Sequence, residues 1–115
     1  MRNVLLDLTE PGVAIVILEG EHELFGATSL QRKLEALIDE GLALVIDLTR
    51  TTFLDSSIVS VLLRAGERSR DAGTGYALVL DDSTGDAVRR TFELTGLDRY
   101  LPVESSREAA LTRTS

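Results

Sequence analysis

Asp55, Ser56 and Ser57 form a run of polar side chains immediately before an apolar segment that begins at Ile58. Aspartate and serine both favour the N-cap position of a helix, so the run predicts a helix start. Backbone N–H groups at a helix start lack partners within the helix, and the helix dipole is positive there. Both effects favour nearby negative charge. A phosphate ester on Ser56 or Ser57 is therefore compatible with a folded helix, and this run is the candidate modification site.

The segments on either side of this run predict the elements that position it. Val45 and Ile46 belong to a β-branched apolar run, which is typical of a strand buried on both faces. A short polar turn connects that strand to Asp55, and residues 56–70 are apolar enough to form a packed helix. We therefore expect the serines at the carboxyl edge of a sheet, where α/β folds usually place functional residues.

The rest of the chain predicts alternating strands and helices. Strands are expected over residues 4–8, 13–18, 76–80 and 99–103. Further helices are expected over 26–39 and 85–94, and from a cap at Ser105 or Ser106 through Leu111. The first two strands are separated only by a short turn, so they should pair as an antiparallel hairpin. We predict an α/β fold with a mixed, mostly parallel sheet, an N-terminal antiparallel hairpin and about four helices, in one domain over residues 1–115.

The composition excludes several classes of function. The chain has no cysteine and one histidine, His22, so disulfides, thiol chemistry and metal sites are not expected. Phosphate-loop and nucleophile-elbow motifs are absent, so we expect no cofactor and no enzymatic activity. The net charge is −7, and residues 1–60 carry ten acidic against four basic side chains, which argues against nucleic acid. No apolar run is as long as a membrane span and no signal-peptide pattern is present, so we expect a cytoplasmic protein without a membrane partner.

Three segments resemble the STAS domain family, to which the anti-sigma-factor antagonists of bacteria belong. Residues 47–49 and 52–57, with the sequences Asp-Leu-Thr and Thr-Phe-Leu-Asp-Ser-Ser, are similar to the core motif of that family. Gly20-Glu21 is similar to its second-strand motif, and residues 88–97 to its third helix. The chain departs from the family pattern at Ile58, where glycine is usual. A β-branched side chain there is expected to add bulk beside the serine, where a kinase must approach closely.

The resemblance implies a phosphorylation switch. In the family, the first serine after the aspartate, which here is Ser56, is phosphorylated by an anti-sigma factor that is itself a serine kinase. The unphosphorylated antagonist binds that kinase and releases a sigma factor, and a serine phosphatase later restores the antagonist. We expect the chain to be a monomer or a weak dimer. The residues expected to contact the partner are Glu21, Glu23, Asp55, Ser56, Ser57 and Ile58.

An alternative interpretation stays open. A STAS module without a switch would carry the same motifs and act as a scaffold or as an accessory subunit of a membrane transport complex. Such a complex would be constant and insensitive to Ser56→Asp. A nucleotide-binding protein would instead require a phosphate-binding loop that the chain lacks.

Overall fold

The computed structural model describes residues 1–114 and alternates strands with helices. The strands are β1 (Arg2–Asp7), β2 (Val13–His22), β3 (Ala43–Asp47), β4 (Thr51–Leu54), β5 (Tyr76–Val79) and β6 (Val103–Glu104). The α-helices are α1 (Leu24–Asp39), α2 (Ser56–Ala72), α3 (Asp86–Thr95) and α4 (Arg107–Thr114), and a 3-10 turn spans Leu97–Arg99.

The sheet confirms the predicted fold class. Its strand order is β1-β2-β3-β5-β6, with β4 paired to β2 beyond the end of β3. Strands β1 and β2 form the predicted antiparallel hairpin, and the other pairs are parallel. Because parallel strands require crossover connections, the helices lie between them in sequence and cover the faces of the sheet.

Strand β4 corrects the prediction of a polar turn between β3 and the second helix. Strand β2 continues to His22, past the predicted end at residue 18, and its far half pairs with residues 51–54. Two further bonds hold the connection to β2: the Gly20 N–H donates to the Arg50 carbonyl (3.1 Å), and the Thr51 hydroxyl donates to the Leu18 carbonyl (2.7 Å). The polar threonines therefore extend the sheet toward α2.

The last strand is also shorter than predicted. The sequence predicts a strand over residues 99–103, whereas the chain forms the 3-10 turn first and reaches the sheet only at β6. Pro102 has no N–H to donate, but its carbonyl accepts from the Leu78 N–H at 2.9 Å, so pairing with β5 begins there.

The core lies mainly between the sheet and the first three helices. The large buried cluster combines the helix-facing side chains of the sheet with residues of α1, α2 and α3. A smaller cluster on the opposite face contains Ile15, Ile17 and Val45 and is covered by Ala110 of α4. The helical period of α1 predicts that Ala27, Leu30, Leu34, Leu37 and Ile38 face the core. Four of these are buried, and Leu37 is half-buried against the core.

Candidate functional site

Helix α2 begins where the sequence predicts. Asp55 has extended backbone angles (φ −104°, ψ −177°) and occupies the N-cap position, so Ser56 is the first residue of the helix. One carboxylate oxygen of Asp55, Oδ1, accepts hydrogen bonds from the N–H groups of Ser57 (3.0 Å) and Ile58 (3.2 Å). Asp55 therefore supplies acceptors for two N–H groups that a helix start otherwise leaves unpaired.

The same carboxylate also fixes the start of α1. The other oxygen of Asp55, Oδ2, accepts from the Leu24 N–H at 3.1 Å. Glu23 occupies the N-cap position of α1 but makes no side-chain cap bond, so Asp55 serves as the acceptor there. One side chain thus joins the starts of two helices that are 31 residues apart in sequence.

These hydrogen bonds stabilise the charged form of Asp55. Desolvation by itself would raise the pKa of the carboxyl. The bonds from the Ser57 hydroxyl and from the N–H groups of Ile58, Leu24 and Ser57 outweigh it and lower the pKa below its usual value. Asp55 is therefore an anion at neutral pH, directly beside the candidate serine.

We expect this carboxylate to make the fold sensitive to acid. Because its pKa is lower in the folded state, the unfolded chain takes up the proton first as the pH falls. The stabilisation is then fully present above about pH 4, the usual pKa of aspartate, and is lost as the pH falls through the folded value. Asp55→Asn should lower the free energy of unfolding by about 1 kcal/mol at pH 7, because an amide has one acceptor oxygen where both carboxylate oxygens accept. Urea unfolding should show that the difference between the two proteins is smaller at pH 3; a constant difference would contradict the assignment.

The structure distinguishes the two serines chemically. The Ser57 hydroxyl donates to Asp55 Oδ1 at 2.5 Å and the side chain is half-buried. Ser56 is exposed, and within residues 1–114 its hydroxyl makes no hydrogen bond. A phosphate acceptor must present a free hydroxyl to the donor, so the geometry favours Ser56 over Ser57.

The helix start differs from the sequence interpretation in one respect. The prediction relied on unpaired N–H groups, but two of them already donate to Asp55. A phosphate on Ser56 would therefore gain mainly from the dipole of a helix of 17 residues, an effect of about 0.3–1 kcal/mol. It would also lie beside the negative charge of Asp55.

Ile58 does not lie beside Ser56 on the surface. Its side chain is 0% exposed and belongs to the large core cluster, because it points inward from the first turn of α2. A partner that docks on the folded domain cannot touch this side chain, which corrects the expectation that Ile58 is part of the contact surface. Its bulk is directed away from the acceptor hydroxyl.

The Glu21 to Glu23 segment lies next to the serines, with its acidic side chains at different depths. Glu21 is exposed and pairs with Phe53 of β4, and Glu23 is half-buried directly before the Leu24 N–H that donates to Asp55. His22 lies between them, 1% exposed at the end of β2, and its Nε2 contacts the Glu19 carbonyl at 3.0 Å. Burial lowers the pKa of His22.

Sequence reasoning missed an apolar patch beside Ser56. Leu24 and Phe25 in the first turn of α1 are 68% and 87% exposed, and Phe53 of β4 is 41% exposed. We call these three residues the apolar patch. A signal exists in the sequence: Leu24 and Phe25 precede the helical period of the buried α1 residues, so they do not belong to its core face. Exposed large apolar side chains grouped in this way mark interaction surfaces.

Other classes of site are not found among the described residues. Residues 1–114 contain no group of three or more metal-ligating side chains, and no helix there has the length and hydropathy needed to cross a membrane. A cleft of about 520 Å³ lies along the later turns of α2 and is lined in part by Glu67, Arg70 and Tyr100, away from the serines.

Comparison with known proteins gives consistent matches. A family model described as the STAS domain matches residues 5–110. The anti-sigma-F factor antagonist RsfB of Mycobacterium tuberculosis is 32% identical over 102 residues, which is 88% of this chain and 80% of that protein. The crystal structure of an anti-sigma factor antagonist from Mycobacterium paratuberculosis superposes with a TM-score of 0.85 at 31% identity, covering 99% of this chain and 94% of that one.

A more distant structure shows the same fold. The anti-sigma factor antagonist SpoIIAA of Bacillus, in its unphosphorylated form, superposes with a TM-score of 0.77 at 20% identity, over 93% of this chain and 92% of that one. The phosphorylated form of SpoIIAA gives a TM-score of 0.70 at 19% identity, over 93% and 96% of the two chains. The architecture described above is therefore SpoIIAA-like.

Proposed function

Because the chain belongs to the STAS domain family, within its anti-sigma factor antagonists, we propose that it binds an anti-sigma factor that is a serine kinase and is switched by phosphorylation of Ser56. The observation that carries the proposal is the exposed, unbonded hydroxyl of Ser56 at the head of α2. Binding of the kinase releases a sigma factor, so the protein regulates transcription in the cytoplasm without catalysing a reaction. The ATP belongs to the kinase, and a serine phosphatase reverses the modification.

The surface around Ser56 supplies the contacts for such a partner. The apolar patch can be buried by a docked protein, and burial of large apolar side chains supplies most of the affinity in typical interfaces. Glu21 and Glu23 add negative charge at its margin, which suits a partner with basic side chains there. Asp55 acts indirectly, because its two carboxylate oxygens hold the start of α1, which carries Leu24 and Phe25, against the start of α2.

Phosphorylation changes this surface while leaving the scaffold in place. A phosphate adds about 1.5 to 2 negative charges at pH 7. On Ser56 it would lie next to Asp55 and near the two glutamates, so a partner adapted to the unmodified surface meets extra charge and bulk. The helix dipole tolerates the charge, and the SpoIIAA structures show that a fold of this kind exists in both states. The modification therefore acts on the docked kinase.

We expect phosphate on Ser56 and on no other residue. The protein is incubated with ATP and each serine-kinase anti-sigma factor of the same genome, and the modified residue is located by mass spectrometry. Ser56→Ala should abolish incorporation, whereas the matched Ser57→Ala should retain it because that hydroxyl is held by Asp55.

Two other outcomes of this experiment would contradict the proposed switch. A kinase that binds but never modifies Ser56 would favour a STAS module without a switch, and its complex would then be equally stable with Ser56→Asp. If no kinase of the set binds at all, the proposed function is wrong.

A further inference from the structure

The two edges of the sheet are built differently. Strand β6, at one edge, has only two residues and follows Pro102, which are common ways to block edge-to-edge pairing. Strand β1, at the other edge, has six residues, no proline and regular pairing with β2 along its length. Its central residues, Asn3 to Leu6, carry no charge. The β1 edge is therefore open to a further strand.

Both faces of β1 present apolar side chains at this edge. Leu5 is 42% exposed and lies on the face opposite the first three helices, paired with Ile17. Leu6 is 52% exposed and lies on the helix side. Leu6 borders a groove of about 300 Å³ between β1 and α1. The residues that line this groove are Val4, Leu6, Val16, Lys33, Ala36 and Leu37.

The backbone of β1 offers hydrogen bonds in a defined pattern. The Glu21 N–H donates to the Met1 carbonyl at 3.1 Å, so the odd-numbered residues of β1 face β2 with their backbone groups. In an antiparallel ladder these groups alternate in direction, so the N–H and C=O groups of Arg2, Val4 and Leu6 point away from the sheet. They are free to pair with another extended strand.

A second copy of β1 matches this edge. We propose that the protein forms a symmetric dimer in which the β1 strands of two copies pair antiparallel, with Leu5 on the two-fold axis. In this register Leu5 faces Leu5 of the other copy, Val4 faces Leu6, and the Asn3 amide faces the Asp7 carboxylate. Shifting the axis to Val4 would instead place Asn3 opposite Leu5 and leave Asp7 outside the paired segment, so the Asn3–Asp7 pair would be lost.

The proposed dimer is compatible with the proposed function but independent of it. In the proposed dimer the two β1 strands run antiparallel about the two-fold axis, so the Ser56 ends of the two sheets point in opposite directions. Each copy can then bind its own kinase. A single added strand pair buries less than the roughly 1,200 Å² of stable complexes, so we expect a weak dimer that forms at high protein concentration.

Sedimentation equilibrium tests the proposed dimer. Measurements up to about 1 mM protein detect dissociation constants in the same range. Leu5→Lys and Leu5→Glu each place like charges opposite one another at the axis, so each should weaken dimerisation at least about tenfold. An equimolar mixture of the two should restore it, because lysine then faces glutamate. Leu94→Lys, which changes an exposed leucine on α3, should leave dimerisation unchanged.

Circular dichroism and the phosphorylation rate of Ser56 separate the proposed dimer from the proposed phosphorylation switch. The Leu5 variants should keep the far-ultraviolet spectrum and the phosphorylation rate of the wild type, so failure of dimerisation and failure of the switch are distinguishable. A wild type that stays monomeric up to about 1 mM overturns the proposal. So does a mixture of folded Leu5→Lys and Leu5→Glu that fails to pair while the wild type dimerises.

Discussion

Ser56→Asp is expected to weaken binding to the anti-sigma kinase by roughly 100-fold, because like-charge contact and desolvation in an interface cost several kcal/mol. The substitution puts a carboxylate next to Asp55 and near the apolar patch, at the proposed docking surface. It should change the melting temperature by no more than a few degrees, since the side chain is exposed and a helix start favours negative charge. Titration calorimetry with the purified kinase measures the affinity, and a thermal melt measures the melting temperature.

A matched substitution tests whether position matters more than charge. Ser105→Asp adds the same charge at an exposed serine that follows β6, at the opposite edge of the sheet from β1. We expect its affinity for the kinase to remain within about threefold of the wild type, as for a rim charge that is screened by salt. Equal losses from both substitutions would mean that net charge controls binding, and the switch at Ser56 would then lose its support.

Ile58→Ala is expected to lower the free energy of unfolding by about 2–5 kcal/mol, the usual range for removing a large aliphatic side chain from a core. The side chain is fully buried against the core between α2 and the sheet, so its loss leaves a cavity. The exposed neighbour Ser60 supplies the control: Ser60→Ala should change stability by less than about 0.5 kcal/mol. Urea unfolding at neutral pH measures both.

The same variant also tests whether Ile58 obstructs the kinase. Because the side chain points into the core, Ile58→Ala should leave the phosphorylation rate of the folded protein unchanged. A stable variant that is phosphorylated several times faster would mean that Ile58 restricts access to Ser56. That result would support the expectation that a β-branched side chain at position 58 hinders the approach of the kinase.

Local sequence was sufficient for the secondary-structure elements and for the position of the candidate serine. The β-branched run around Val45, the helical period after Gly26 and the Asp55-Ser56-Ser57 run each act over a few residues, through backbone sterics, side-chain periodicity and capping. These patterns, with the short turn after the first strand and the apolar pattern of the later segments, predict the hairpin, the four helices and the start of α2 at Ser56, all of which the structure confirms. The motifs in the same segments were enough to indicate the family, which the comparisons confirm.

Tertiary contacts decided the composition of the site. Whether Thr51 to Leu54 forms a strand depends on the far end of β2, and the burial of His22 and Ile58 depends on which elements cover them. The hydrogen bond from Leu24 to Asp55 spans 31 residues, and it brings the first turn of α1 to the start of α2. The conformational propensity of a single residue does not depend on such distant partners, so it cannot predict these contacts. The sequence therefore predicts the candidate serine, whereas only the packed structure reveals the apolar patch near it.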